Sequence, residues 1–85
     1  MTAEINQIAT EVETFVRQYI AAGVAPREVQ VRPSGDDVDV IKVWIDLGSA
    51  KVDAQAWARD CEAAIKKAIP AAAAFKVAVR VETLA

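Results

Sequence analysis

The stretch VDVIKVWIDL, residues 38 to 47, restricts the fold more than any other part of the chain. Laid out as a strand, it carries Ile41, Val43, Ile45 and Leu47 on one side and Val38, Val40 and Trp44 on the other. Side chains alternate across a strand with a period of two, so a sheet with one wet face gives one apolar set and one polar set. Here both sets are largely apolar. Such a segment belongs at the centre of a sheet, and something has to cover Trp44 on its second face.

The flanking segments set the order of the elements. REVQVRP alternates Val29 and Val31 with Gln30 and Arg32, and PSGDD supplies turn residues, so this region and residues 38 to 47 form a β-hairpin. Pro33 suits the second position of its turn, where its fixed φ is already correct, and Ser34-Gly35 complete it. Before the hairpin, Ile5, Ile8, Ala9, Val12, Phe15, Val16, Tyr19 and Ile20 recur at steps of three and four, the stripe of an amphipathic helix. That helix is expected from about Ala3 to Ala22, with Thr2 as N-cap, Gly23 in the left-handed position past its end and Pro26 barring continuation. After the hairpin, Ala54, Trp57, Cys61, Ala64, Ile65 and Ala68 mark a second helix, from about Ala54 to Ile69, between the N-cap Asp53 and Pro70. FKVAVRVETL then alternates again, Phe75, Val77, Val79 and Val81 against Lys76, Ala78, Arg80 and Glu82, as a third strand.

The order is therefore α-β-β-α-β. A helix between the second and third strands implies a right-handed parallel crossover, which makes the second strand the middle of a three-stranded mixed sheet. The expected fold is α+β, a two-layer sandwich with both helices on one sheet face, over a single domain spanning residues 1 to 85. Phe15, Trp57 and Val79 are expected to lie close together and buried. The open face carries Gln30, Arg32, Lys42, Trp44, Lys76, Ala78, Arg80 and Glu82; a β-bulge near Val40 would return Val38 and Val40 to the helix side.

The stretch from Arg32 to Glu82 resembles the cytoplasmic C-terminal domain of cation diffusion facilitator transporters. The likeness runs through the hairpin with Arg32 and Gly35, the alternating second strand, the helix bearing Ala56 and Glu62, and a closing strand ending in Glu82. It implies this fold, dimerisation, and divalent metal bound through histidines and acids. The chain has no histidine. Fold and dimerisation carry over, and the metal ligands do not.

Composition narrows the chemistry. Twelve acidic and ten basic residues leave a net charge of −2, which disfavours attraction of the whole molecule to nucleic acid or an anionic membrane. No apolar run reaches the ~20 residues of a membrane span, MTAEINQ has no signal-peptide pattern, and a lone Cys61 allows no internal disulfide, so a cytoplasmic protein is expected. There is no Gly-rich phosphate loop, and no nucleophile has a sequence-visible base, so neither an enzyme, a cofactor nor a small-molecule substrate is expected. Cys61 falls on a buried stripe and is expected to behave as a small hydrophobe. Asp36, Asp37 and Asp39 lack the ligand spacing of a calcium loop and fit a charged hairpin tip that discourages edge pairing.

The open face is left. Arg80 could lie over the Trp44 indole as a cation–π pair. Alternatively Trp44, with Lys42, Ala78, Arg80 and Arg32 around it and Val38 and Val40 beside it, forms the centre of a protein interface. Aromatics and Arg favour such centres, and an 85-residue chain gains stability from association. The expected function is a small non-enzymatic interaction or regulatory module that self-associates or binds a protein partner. The alternatives are a metal-responsive regulatory domain and a single-stranded nucleic-acid binder that uses Trp44 as a stacking platform, the latter opposed by Asp46 and Glu82 on the same face.

Overall fold

Two apolar helical stripes and three alternating segments leave few ways to bury both kinds of face, and the computed structural model, which describes residues 2–34 and 40–83, resolves them as a two-layer α+β fold. Helix α1 spans Thr2–Arg17, strand β1 Glu28–Ser34, strand β2 Val40–Asp46, helix α2 Ala54–Ala68 and strand β3 Lys76–Glu82. The sheet order is β1-β2-β3, antiparallel between β1 and β2 and parallel between β2 and β3, so VDVIKVWIDL does supply the central strand. Helix α1 packs on β1, and α2 packs on β3.

The core lies between the layers. Ile5, Ile8, Val12 and Val16 of α1 and Trp57, Cys61 and Ile65 of α2 meet Val29, Ile41, Val43, Ile45, Leu47 and Val77. Val31, Val79 and Val81 pack against this cluster while half-buried. Of the three residues expected to be buried together, only Trp57 is fully enclosed, at 2% exposure; Phe15 and Val79 are half-buried at the margin. Tyr19 connects the aromatics: its ring stands 5.9 Å from Phe15 and 5.2 Å from Trp57, the latter edge-on at 79°, a geometry that suits the ring quadrupoles.

Several boundaries differ from the sequence reading. Helix α1 stops at Arg17 and does not reach Ala22. The N–H groups of Gln18 and Tyr19 bond to the carbonyls of Phe15 and Val16, which tightens the last turn, and Ala21 and Val24 then pair with each other around a turn. Ala22 (φ 53) and Gly23 (φ 74) are both left-handed in that turn, so Gly23 has the expected conformation but serves a reversal some residues past the helix. Ile20, placed on the buried stripe by its spacing, is 65% exposed as a result.

Pro33 is not in the hairpin turn: it lies within β1 opposite Ile41, and Ser34 lies opposite Val40. β1 is an edge strand, where a missing N–H is tolerated. Gly35, Asp36 and Asp37 of the expected turn, and Val38 and Asp39 of the expected strand, lie outside the described residues. Helix α2 starts as expected, with the Asp53 carboxylate accepting from the N–H groups of Gln55 (3.0 Å) and Ala56 (3.2 Å). Beyond it Pro70 opens a short 3₁₀ helix, Pro70–Ala74, which buries Ala72 and carries the chain into β3; the alanine tract gives no periodicity from which this could be read.

Candidate interaction face

The in-register pairing of the three strands lines up side chains in rows across the open face. One row is Arg32, Lys42 and Ala78; the next is Gln30, Trp44 and Arg80; the third is Glu28, Asp46 and Glu82. Alternation puts all nine on the side of the sheet away from the helices. The first two rows line a shallow concavity of about 560 Å³ with half-buried Trp44 in its middle row. The structure thus brings together Trp44, Lys42, Ala78, Arg80 and Arg32.

Val40 heads the same face, half-buried, with Ser34 and Lys76 as its backbone partners. Pairing runs unbroken from Val40 to Asp46, so β2 contains no bulge and Val40 keeps the phase of Lys42 and Trp44 instead of turning to the helix side. Val38 lies outside the described residues. Glu28 is the member of the face that sequence reading missed, although it shares the parity of Gln30 and Arg32 in REVQVRP.

Arg80 does not cover the indole. Its guanidinium reaches along β3 to Glu82, 3.6 Å away, and its side chain is 80% exposed. An ion pair this exposed adds little stability, but it neutralises Arg80 locally and leaves the Trp44 ring without a cationic lid. At the acidic end of the face, Asp46 accepts the N–H of Gly48 at 2.8 Å, which anchors the turn leaving β2. The backbone pairing also continues past the strands: Arg27 N–H bonds to the Asp46 carbonyl at 2.8 Å and Leu47 N–H to the Glu82 carbonyl at 2.9 Å.

The three acids of the last row are spread over three strands about 4.8 Å apart. Among the described residues no group of three His, Cys, Asp or Glu converges to hold a metal ion. The nucleophilic groups of the core are held in their neutral forms. Burial, and secondarily the charge of Glu62, pushes the Cys61 thiol up from 9.0 to about 12. Burial also raises Tyr19, with smaller contributions from Cys61 and Asp60. Among the described residues no helix is long and apolar enough to cross a membrane.

No protein-family model, curated protein or solved structure matches this chain.

Proposed function

We propose that this protein is a small non-enzymatic interaction module that self-associates through the open face of its sheet. The observation that carries the reading is Trp44: a large aromatic at the middle of the central strand, on the sheet face away from α1 and α2, between Gln30 and Arg80, with the Arg80 guanidinium turned to Glu82. Aromatic centres with polar rims are what protein interfaces favour. The resemblance to transporter C-terminal domains implies dimerisation as well and supports the same reading. The acidic row Glu28, Asp46 and Glu82 sets protein above nucleic acid as the occupant, because a phosphate chain laid along the face would cross three carboxylates.

The contact is small. Seven residues at ~3.3 Å along three strands ~4.8 Å apart give a face of roughly 14 by 23 Å. Even doubled for side-chain relief, this stays below the ~800 Å² per partner of a standard stable interface, so association belongs in the micromolar, transient class. Sedimentation across the micromolar range tests it. The parent chain is expected to be a dimer in equilibrium with monomer, and Trp44→Glu a folded monomer with unchanged far-UV circular dichroism. A parent that stays monomeric throughout, with its Trp44 fluorescence freely quenched by iodide, would refute self-association.

A further inference from the structure

The charge on the open face is sorted along the strands. On one side of the Trp44 row stand three carboxylates, Glu28, Asp46 and Glu82; on the other stand Arg32 and Lys42, with Lys76 one row further. The Trp44 row itself contributes Arg80, already paired with Glu82. A face with opposite charge on either side of an apolar middle complements itself only in one sense, and this decides how two copies can meet.

We infer, resting on the self-association proposed above, that two copies stack face to face about a two-fold axis that runs across the strands through the Trp44 row. Closed dimers are normally built on such an axis, with the same patch used by both partners. Two stacked sheets with aligned strands admit two in-plane choices. An axis along the strands lays β1 of one copy over β3 of the other. It places Glu28 on the second copy's Glu82 and Asp46 on the second copy's Asp46, acid on acid. An axis across the strands reverses the strand direction and keeps β1 over β1. It places Glu28 on the second copy's Arg32 and Asp46 on its Lys42, each contact occurring twice by symmetry. Trp44 meets Trp44 under either axis, so the apolar centre cannot choose between them; the charged rows do. Like charges in juxtaposition suppress an arrangement, and opposite charges fix its register.

Glu28 separates the two axes because both it and Arg32 are exposed on the edge strand β1, where reversal leaves the core untouched. Across the strands, Glu28→Arg sets Arg against Arg32 and weakens the dimer about tenfold, two exposed pairs being turned from attraction to repulsion. The double variant Glu28→Arg/Arg32→Glu restores the opposition with its signs exchanged and returns the dissociation constant to that of the parent. Along the strands, Glu28→Arg would meet Glu82 and tighten the dimer instead. The measurement is sedimentation of the four proteins, parent, Trp44→Glu, Glu28→Arg and the double variant, at low ionic strength, with Ala78→Glu as a second block of the same face and circular dichroism as the check on folding. A dimeric parent, monomeric Trp44→Glu and Ala78→Glu, a weakened Glu28→Arg and a restored double variant support the inference. If Trp44→Glu is monomeric while Glu28→Arg is unchanged or tighter, the orientation is overturned and the face remains an interface. If the parent is monomeric, or Trp44→Glu and Ala78→Glu both still dimerise, the proposed self-association through this face fails and the inference with it.

Discussion

Cys61 and Trp57 sit one helical turn apart on the inner side of α2, and each makes a separate claim about the core. Cys61 has 0% exposure and a thiol pushed up to about 12, so a thiol reagent at neutral or mildly alkaline pH is expected to label it slowly in the native protein and rapidly in denaturant. The protonated thiol is favoured by folding, so its contribution to stability is complete below the ordinary value of 9.0 and is lost as pH climbs from there toward 12; urea midpoints should fall over that alkaline window. Labelling as fast as in the unfolded chain would mean that α2 is turned the wrong way. Trp57 fills the space between α2 and the sheet and donates its indole N–H to the Val24 carbonyl at 3.3 Å, tying the Ala21–Val24 turn to the core. Trp57→Ala removes both effects and should cost ~3–5 kcal/mol, a large share of the ~5–15 kcal/mol available to a domain. Thermal melting checks it: a midpoint within a few degrees of the parent would contradict the packing.

Each element shows why parts of this fold were legible in the sequence and others were not. Period-two alternation in REVQVRP, VDVIKVWIDL and FKVAVRVETL, together with a helix between the last two, was enough to place β2 at the centre and to name eight residues of the open face, because alternation assigns a side to every position at once. Boundaries depend on local competition that periodicity does not record. The stripe of α1 continues formally to Ile20, but the turn at Ala22 and Gly23, held from outside by Trp57, ends the helix at Arg17. Pro33 looked like a turn residue because turns favour it, yet an edge strand accepts it equally. Arg80 was legible as a neighbour of Trp44, but its choice of Glu82 over the indole depends on a side-chain rotamer. One capping signal translated directly: Asp53 closes the N-terminus of α2 with two backbone bonds. Asp53→Ala is expected to lose about 1 kcal/mol in urea denaturation, with helix content nearly unchanged.

At the level of the whole molecule, one sheet face is covered by α1 and α2, and the proposed self-association through the other would link stability to association. Anything that binds only the folded state raises its apparent stability by mass action, and the parent's melting temperature should therefore rise with protein concentration while that of Trp44→Glu does not. Added salt should weaken the parent's association if the inferred register, which rests on exposed charges, is the one adopted. The mixed pairing of the sheet also bears on how the chain finds this structure. β1 and β2 are joined by a hairpin whose partners begin only six positions apart, at Ser34 and Val40, whereas every β3 residue lies 36 positions beyond its β2 partner, as Lys76 does from Val40. Closing the longer loop costs more chain entropy before any contact rewards it. On chain entropy the hairpin is expected to pair before β3 docks, and until β3 docks the Trp44 face would rest on two strands, with the edge that β3 will occupy still bare.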